Sequence, residues 1–120
     1  MGKAVVSLRT GLEDAETVTV AMLMAVGAAE SGRPTAMFLA KEAVRLALDG
    51  VAVGTACEGC PPLTSLFERY AAAGGRLFVC PICFNAKQLD KDRLIAGAEI
   101  QGTAPMWSWI GDEAATTFSY

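Results

Sequence analysis

The chain has 120 residues, 10 Lys and Arg against 13 Asp and Glu, a net charge of −3 and no histidine. That length suits one domain, 1–120, with its own core. The lack of histidine removes Ser-His-Asp and Cys-His catalysis and every His-ligated metal, and the acidic balance argues against nucleic acid as a partner. At 52% hydrophobic with 12 further glycines, the chain is richer in apolar residues than a typical globular domain. So small a fold cannot easily hide that much apolar surface, which predicts a homo-oligomer. No run reaches the ~18 apolar residues of a membrane helix, and the N-terminus reads as a strand rather than a leader, so no membrane partner and a cytoplasmic location are expected.

The β-branched run Lys3 to Leu8 predicts a first strand, ended by the turn Arg9-Thr10-Gly11. Glu13, Asp14 and Glu16 suit the positive end of a helix starting at Asp14. Val18, Met22, Ala25, Val26 and Ala29 recur at helical spacing until Gly32 and Pro34 stop the run, and both Met22 and Met24 are expected in the core. Thr35 to Ala40 predicts a second strand, and KEAVRLAL a helix from Lys41 closed by Asp49-Gly50.

A Gly-rich loop carrying Cys57 and Cys60 follows, then a third helix over Leu63 to Ala73 stopped by Gly74-Gly75. Arg76 to Cys80 predicts a third strand, with Pro81 at the first turn of the next helix. After a turn at Asp90 and a short helix come a strand in AEIQG, a helix over Thr103 to Ile110 and a last strand over Thr116 to Tyr120. In that last helix Trp107 and Trp109 cannot share one face, so one is expected against the sheet and the other toward a neighbouring subunit. Strands alternating with helices, several apolar on both faces, predict an α/β fold in three layers around a mainly parallel five-stranded sheet.

Ligands of such sheets sit beyond the carboxyl ends of the strands. Arg9 and Thr10, Lys41, and Cys80 fall at the ends of the first, second and third strands, and are the candidate site: Cys80 and Cys83 reactive, Arg9, Thr10 and Lys41 binding. A thiol at a helix start faces free backbone N–H groups and the positive dipole end, which favours the thiolate, the nucleophile of sulfur transfer and disulfide exchange.

The four cysteines form two pairs, Cys57/Cys60 in CEGC and Cys80/Cys83 in CPIC, with 19 residues between them. In a chain expected to be cytoplasmic they are not read first as disulfides. Their spacing also fits a four-thiolate zinc site on Cys57, Cys60, Cys80 and Cys83. A thioredoxin-like reading of CPIC is disfavoured by position, because only 37 residues follow Cys83.

The order of elements resembles the DsrE/DsrF-like family, small flavodoxin-like α/β subunits of sulfur-relay systems. The resemblance is carried by SLRTGLEDAETV, TAMFLAKEAVRLALDGVA and PPLTSLFERYAAAGGRLFVCPICFNAKQL, above all by GG-RLFVCPIC. It implies that Cys80 matches a persulfide-carrying thiol, with sulfur donor and acceptor proteins or small sulfane-sulfur compounds as partners. It also implies assembly as a trimer or hexamer. CEGC and Cys83 lie outside the single-cysteine carrier pattern and leave room for a dithiol couple. The sulfur reading needs no cofactor; its alternative is a zinc-stabilised oligomeric binding domain without catalysis.

Overall fold

The alternating β-branched run KAVVSL forms β1 (Lys3–Leu8) in the computed structural model, which describes residues 1–120. Asp14 caps α1 (Ala15–Glu30): its carboxylate accepts from the Thr17 N–H at 3.1 Å and from the Thr17 hydroxyl at 2.7 Å. These bonds hold the Asp14 carboxyl below its usual range, the hydroxyl bond contributing most. After β2 (Thr35–Leu39) the chain forms a seven-residue 3-10 helix, Lys41–Ala47, where the sequence suggested an α-helix. Lys41 enters it with φ +54°, a left-handed conformation that a non-glycine residue seldom adopts. Four of its residues, Ala43, Val44, Leu46 and Ala47, are buried, so tertiary packing rather than an amphipathic α-helical stripe sets the geometry.

The remaining strands and α-helices are α2 (Leu63–Ala72), β3 (Arg76–Val79), α3 (Pro81–Ala86), β4 (Ala98–Ile100), α4 (Thr103–Ile110) and β5 (Ala115–Ser119), and short 3-10 turns cover Leu12–Asp14 and Lys91–Arg93. The sheet order is β4-β3-β2-β1-β5 and every pairing is parallel, so the expected mainly parallel sheet is wholly so. A right-handed connection between parallel strands places its helix according to the direction of travel. The steps β1 to β2 and β2 to β3 run one way, and the step β4 to β5 runs back across the sheet. The helices therefore lie on opposite faces, with α1 and α2 on one and α4 on the other.

The α1/α2 face holds the main core. Val6, Leu8, Met37, Leu39, Leu77 and Val79 from the sheet pack with Val18, Met22, Ala25 and Val26 of α1 and Leu63, Leu66 and Tyr70 of α2. Burying each of the larger aliphatic side chains is worth about 2 kcal/mol. Strand alternation sends Val5, Ser7 and Phe38 to the opposite face, where they line a cavity of 270 Å³ beneath Met106, Trp107 and Ile110 of α4. Trp107 is 70% exposed. Trp109 instead packs under the Lys3 ammonium, 5.1 Å from the ring centre, and Lys3 also donates to the carbonyls of Trp109 and Ile110. Met24 does not join the core: it is 38% exposed while Met22 is fully buried, since residues two apart on a helix point to different sides.

Candidate functional site

The parallel registers align Leu8, Leu39, Val79 and Ile100 in one row across β1 to β4. The next residue of each strand, Arg9, Ala40, Cys80 and Gln101, forms the carboxyl edge. Backbone bonds continue the ladder into this row: Ala40 donates to Leu8 at 3.0 Å, Cys80 to Leu39 at 2.9 Å and Gln101 to Val79 at 3.2 Å. Arg9 donates to the carbonyl of Tyr120 at 2.9 Å. Neighbouring strands are about 4.8 Å apart, so Cys80 lies one strand spacing from Ala40 and roughly 10 Å from Arg9. Lys41, which follows Ala40 and is exposed, thus begins one strand from Cys80, whereas Arg9 begins two strands away.

Cys80 is the N-cap of α3, with extended backbone (φ −60°, ψ 117°), and Pro81 occupies the first helical position. Its N–H is held by Leu39 and its carbonyl accepts from Phe84 at 3.0 Å. The side chain makes no capping hydrogen bond. The thiol is therefore rigidly carried, half-buried and uncommitted. Cys83, one turn on, is also a free and half-buried thiol.

Two connections stiffen this edge, and neither is visible as a local sequence pattern. Lys87, at the end of α3, pairs with Glu42 at 2.9 Å, and Glu42 also accepts from Arg45 at 3.0 Å. Hydrogen bonds from Lys87 first and Arg45 second hold the Glu42 carboxyl below its usual range. Lys87 is thus part of the scaffold rather than a free surface lysine. Gly11 sits so close to the 3-10 helix that a Cβ there would lie 2.8 Å from the Glu42 carbonyl oxygen and 2.9 Å from the Glu13 carboxylate. Only glycine permits this approach of the β1 and β2 loops.

The two cysteine pairs behave differently. Cys57 and Cys60 are joined as a disulfide in the loop before α2. No group of three or more His, Cys, Asp or Glu side chains is arranged to hold a metal ion. The four-thiolate site on Cys57, Cys60, Cys80 and Cys83 is therefore not formed, since two of its ligands are bonded to each other and a CxxC spacing does not dictate how its sulfurs are used. Glu99 is tied to Arg76 through two hydrogen bonds, at 2.9 and 3.0 Å, across β3 and β4. That pair braces the sheet away from the carboxyl edge.

The profile of the DsrE/DsrF-like family matches residues 3–117. The chain belongs to this family. Its fold is similar to the crystal structure of the ychN protein from E. coli, with a TM-score of 0.82 at 20% identity over 100% of both chains. It is also similar to MTH1491 from Methanobacterium thermoautotrophicum, a protein of unknown function, with a TM-score of 0.66 at 12% identity over 98% of this chain and 100% of that one. No curated protein sequence matches it significantly. At these identities the two structures bear on the fold alone. No helix is long and apolar enough to cross a membrane.

Proposed function

We propose that this protein handles sulfane sulfur, with Cys80 as the carrier. The observation that carries the reading is the position of Cys80: an uncommitted thiol at the carboxyl end of β3, capping α3, in a chain that belongs to the DsrE/DsrF-like family. The Cys80 thiolate takes up a sulfur atom as a persulfide, and an acceptor thiolate attacks the outer sulfur and removes it. Cys83 offers a second outcome. Its thiol attacks Sγ of Cys80, the bond to the outer sulfur breaks, a Cys80–Cys83 disulfide forms and the outer sulfur leaves as hydrosulfide carrying the Cys83 proton. Lys41 and, at greater reach, Arg9 and Thr10 give the anionic persulfide cationic and polar neighbours.

Donors and acceptors of this class, proteins or small sulfane-sulfur compounds, are the partners that the reading requires. We propose further that the working form is a homo-oligomer, a trimer or hexamer. Its support is an apolar groove of 570 Å³ between α1 and β5, where Val20, Leu23, Met24 and Phe118 are 38 to 46% exposed. Exposed apolar surface of this kind marks an interface.

The test is intact-mass analysis after exposure to inorganic polysulfide. The mass of one added sulfur, removed by reduction and absent in Cys80→Ser, is the expected result. Undiminished uptake by Cys80→Ser overturns the assignment.

A further inference from the structure

The Cys57–Cys60 disulfide is absorbed neither by the carrier reading nor by the core. Several of its features are unlike those of a structural staple. It closes a ring of only four residues, the kind of loop whose closure constrains an unfolded chain least. The surrounding loop has its own anchors: the Thr55 N–H donates to Ala52 at 3.2 Å, Cys60 to Cys57 at 2.9 Å, and Leu63 to Thr55 at 3.0 Å. Pro61 and Pro62 stiffen the entry to α2. The loop and the start of α2 thus have backbone holds that do not depend on the bridge. Both cysteines are partly exposed, with the Cys60 sulfur 3.8 Å from the Glu58 carbonyl in a solvent-facing contact.

The Cys57 sulfur is placed differently. It lies 3.7 Å from Oγ1 of Thr19, a residue of α1 that is only 2% exposed. The Thr19 hydroxyl proton is already committed to the Ala15 carbonyl at 2.8 Å. What Thr19 turns toward Cys57 is thus an acceptor lone pair. A disulfide sulfur has no proton to give it; a Cys57 thiol has. The site holds an acceptor for the reduced state that the oxidised state leaves unused.

We propose that Cys57 and Cys60 form a reversible thiol–disulfide exchange site, a second reactive centre separate from Cys80, whose substrates are small dithiols. A dithiol thiolate attacks the partly exposed Cys60 sulfur and the Cys57–Cys60 bond breaks. Cys57 leaves, takes up the proton lost by the attacking thiol and donates it in a hydrogen bond to Thr19 Oγ1. The second sulfur of the dithiol then attacks the first, releasing Cys60 as a thiol and leaving a cyclic disulfide. Two electrons and two protons pass from the dithiol to the protein. Thr19 acts as a positioning residue that stabilises the reduced product.

The experiment uses the full chain carrying Cys80→Ser and Cys83→Ser, equilibrated in dithiothreitol buffers of graded oxidation. Thiols are then counted by alkylation and mass spectrometry. If that variant does not fold, the same count is read on the peptide spanning Cys57 and Cys60 from digested wild-type protein. The expected result is one transition in which both thiols appear together, with circular dichroism unchanged across it. Thr19→Val, which keeps the shape and removes the acceptor, is expected to move the exchange constant about fivefold toward the disulfide, the scale of one net hydrogen bond. A bridge that resists excess dithiothreitol in the folded protein overturns the proposal, as does a pair that never oxidises. An unchanged constant in Thr19→Val overturns the role of Thr19. Because only Cys57 and Cys60 are counted, in the doubly substituted chain or in the digested peptide, this outcome is independent of whether Cys80 carries sulfur.

Discussion

Lys87 and Glu42 meet at 2.9 Å, joining the end of α3 to the 3-10 helix after β2. Through this pair the segment bearing Cys80 and Cys83 is tied to the neighbouring strand end, beyond the backbone ladder that already holds it. Glu42→Gln is expected to loosen α3, seen as faster amide exchange at Cys83 to Lys87 with the sheet unaffected. The pH dependence follows from the sign of the Glu42 shift. Its folded pKa lies below the ordinary 4.5, so its stabilisation is complete above that pH and is lost as pH falls through the lower, folded value. Denaturant midpoints of wild type and Glu42→Gln should differ at pH 7 and converge in strong acid.

Cys80 caps α3 without using its side chain. Serine at an N-cap accepts a hydrogen bond from the second or third helical N–H, which a thiol does poorly. Cys80→Ser is therefore expected to hold or raise stability, by about 0.5–1 kcal/mol, while abolishing sulfur uptake. A chemical denaturation curve run beside the polysulfide assay separates loss of chemistry from loss of fold.

Gly75 faces the ring of Tyr70 so closely that a Cβ would clash with the three ring carbons nearest the hydroxyl. Tyr70 cannot give way: it is 2% exposed, its hydroxyl donates to the Arg76 carbonyl, and burial raises its phenol pKa well above the usual range. Gly75→Ala should cost about 3 kcal/mol through overpacking. A small drop in melting temperature would contradict that packing.

Gly27 presents the opposite case. It lies inside α1, and a Cβ added there meets nothing within 4 Å. In an isolated subunit Gly27→Ala should stabilise by about 1 kcal/mol, since glycine in a helix interior has too much freedom to lose. If α1 packs closely on another subunit, the bulkier Gly27→Leu should shift sedimentation toward the monomer while leaving the fold intact. Unchanged oligomer size with Gly27→Leu would place the interface elsewhere.

β1, β2 and β3 were legible as short β-branched or apolar runs, while β4, with Glu99 at its centre, and the Thr-rich β5 were legible mainly from their place in the strand–helix alternation. The carboxyl edge followed from their order, since a parallel sheet gathers its strand ends on one side. The 3-10 geometry of Lys41–Ala47 was not legible, because both helix types bring residues three apart onto one side and packing decides between them. The Glu42–Lys87 pair spans 45 positions and has no local signature. The contact between Cys57 and Thr19 is likewise tertiary. The exposure of Met24 was within reach, since its spacing from the buried Met22 already placed the two on different sides of α1.

The pairing of Lys3 with Ala115 sets an order on the birth of this fold. Among the five strands of the sheet β1 is made first, yet its second neighbour is 112 residues away, about 6–22 s later at ordinary rates of translation. During that interval the edge of β1 that will meet β5 has no strand to bond. KAVVSL is a short, β-prone run of the kind that pairs readily with other chains. The nascent protein is thus most exposed to misassembly before β5 arrives. Shortening the wait, by a permuted gene in which β5 precedes β1, would protect the chain at its most vulnerable stage.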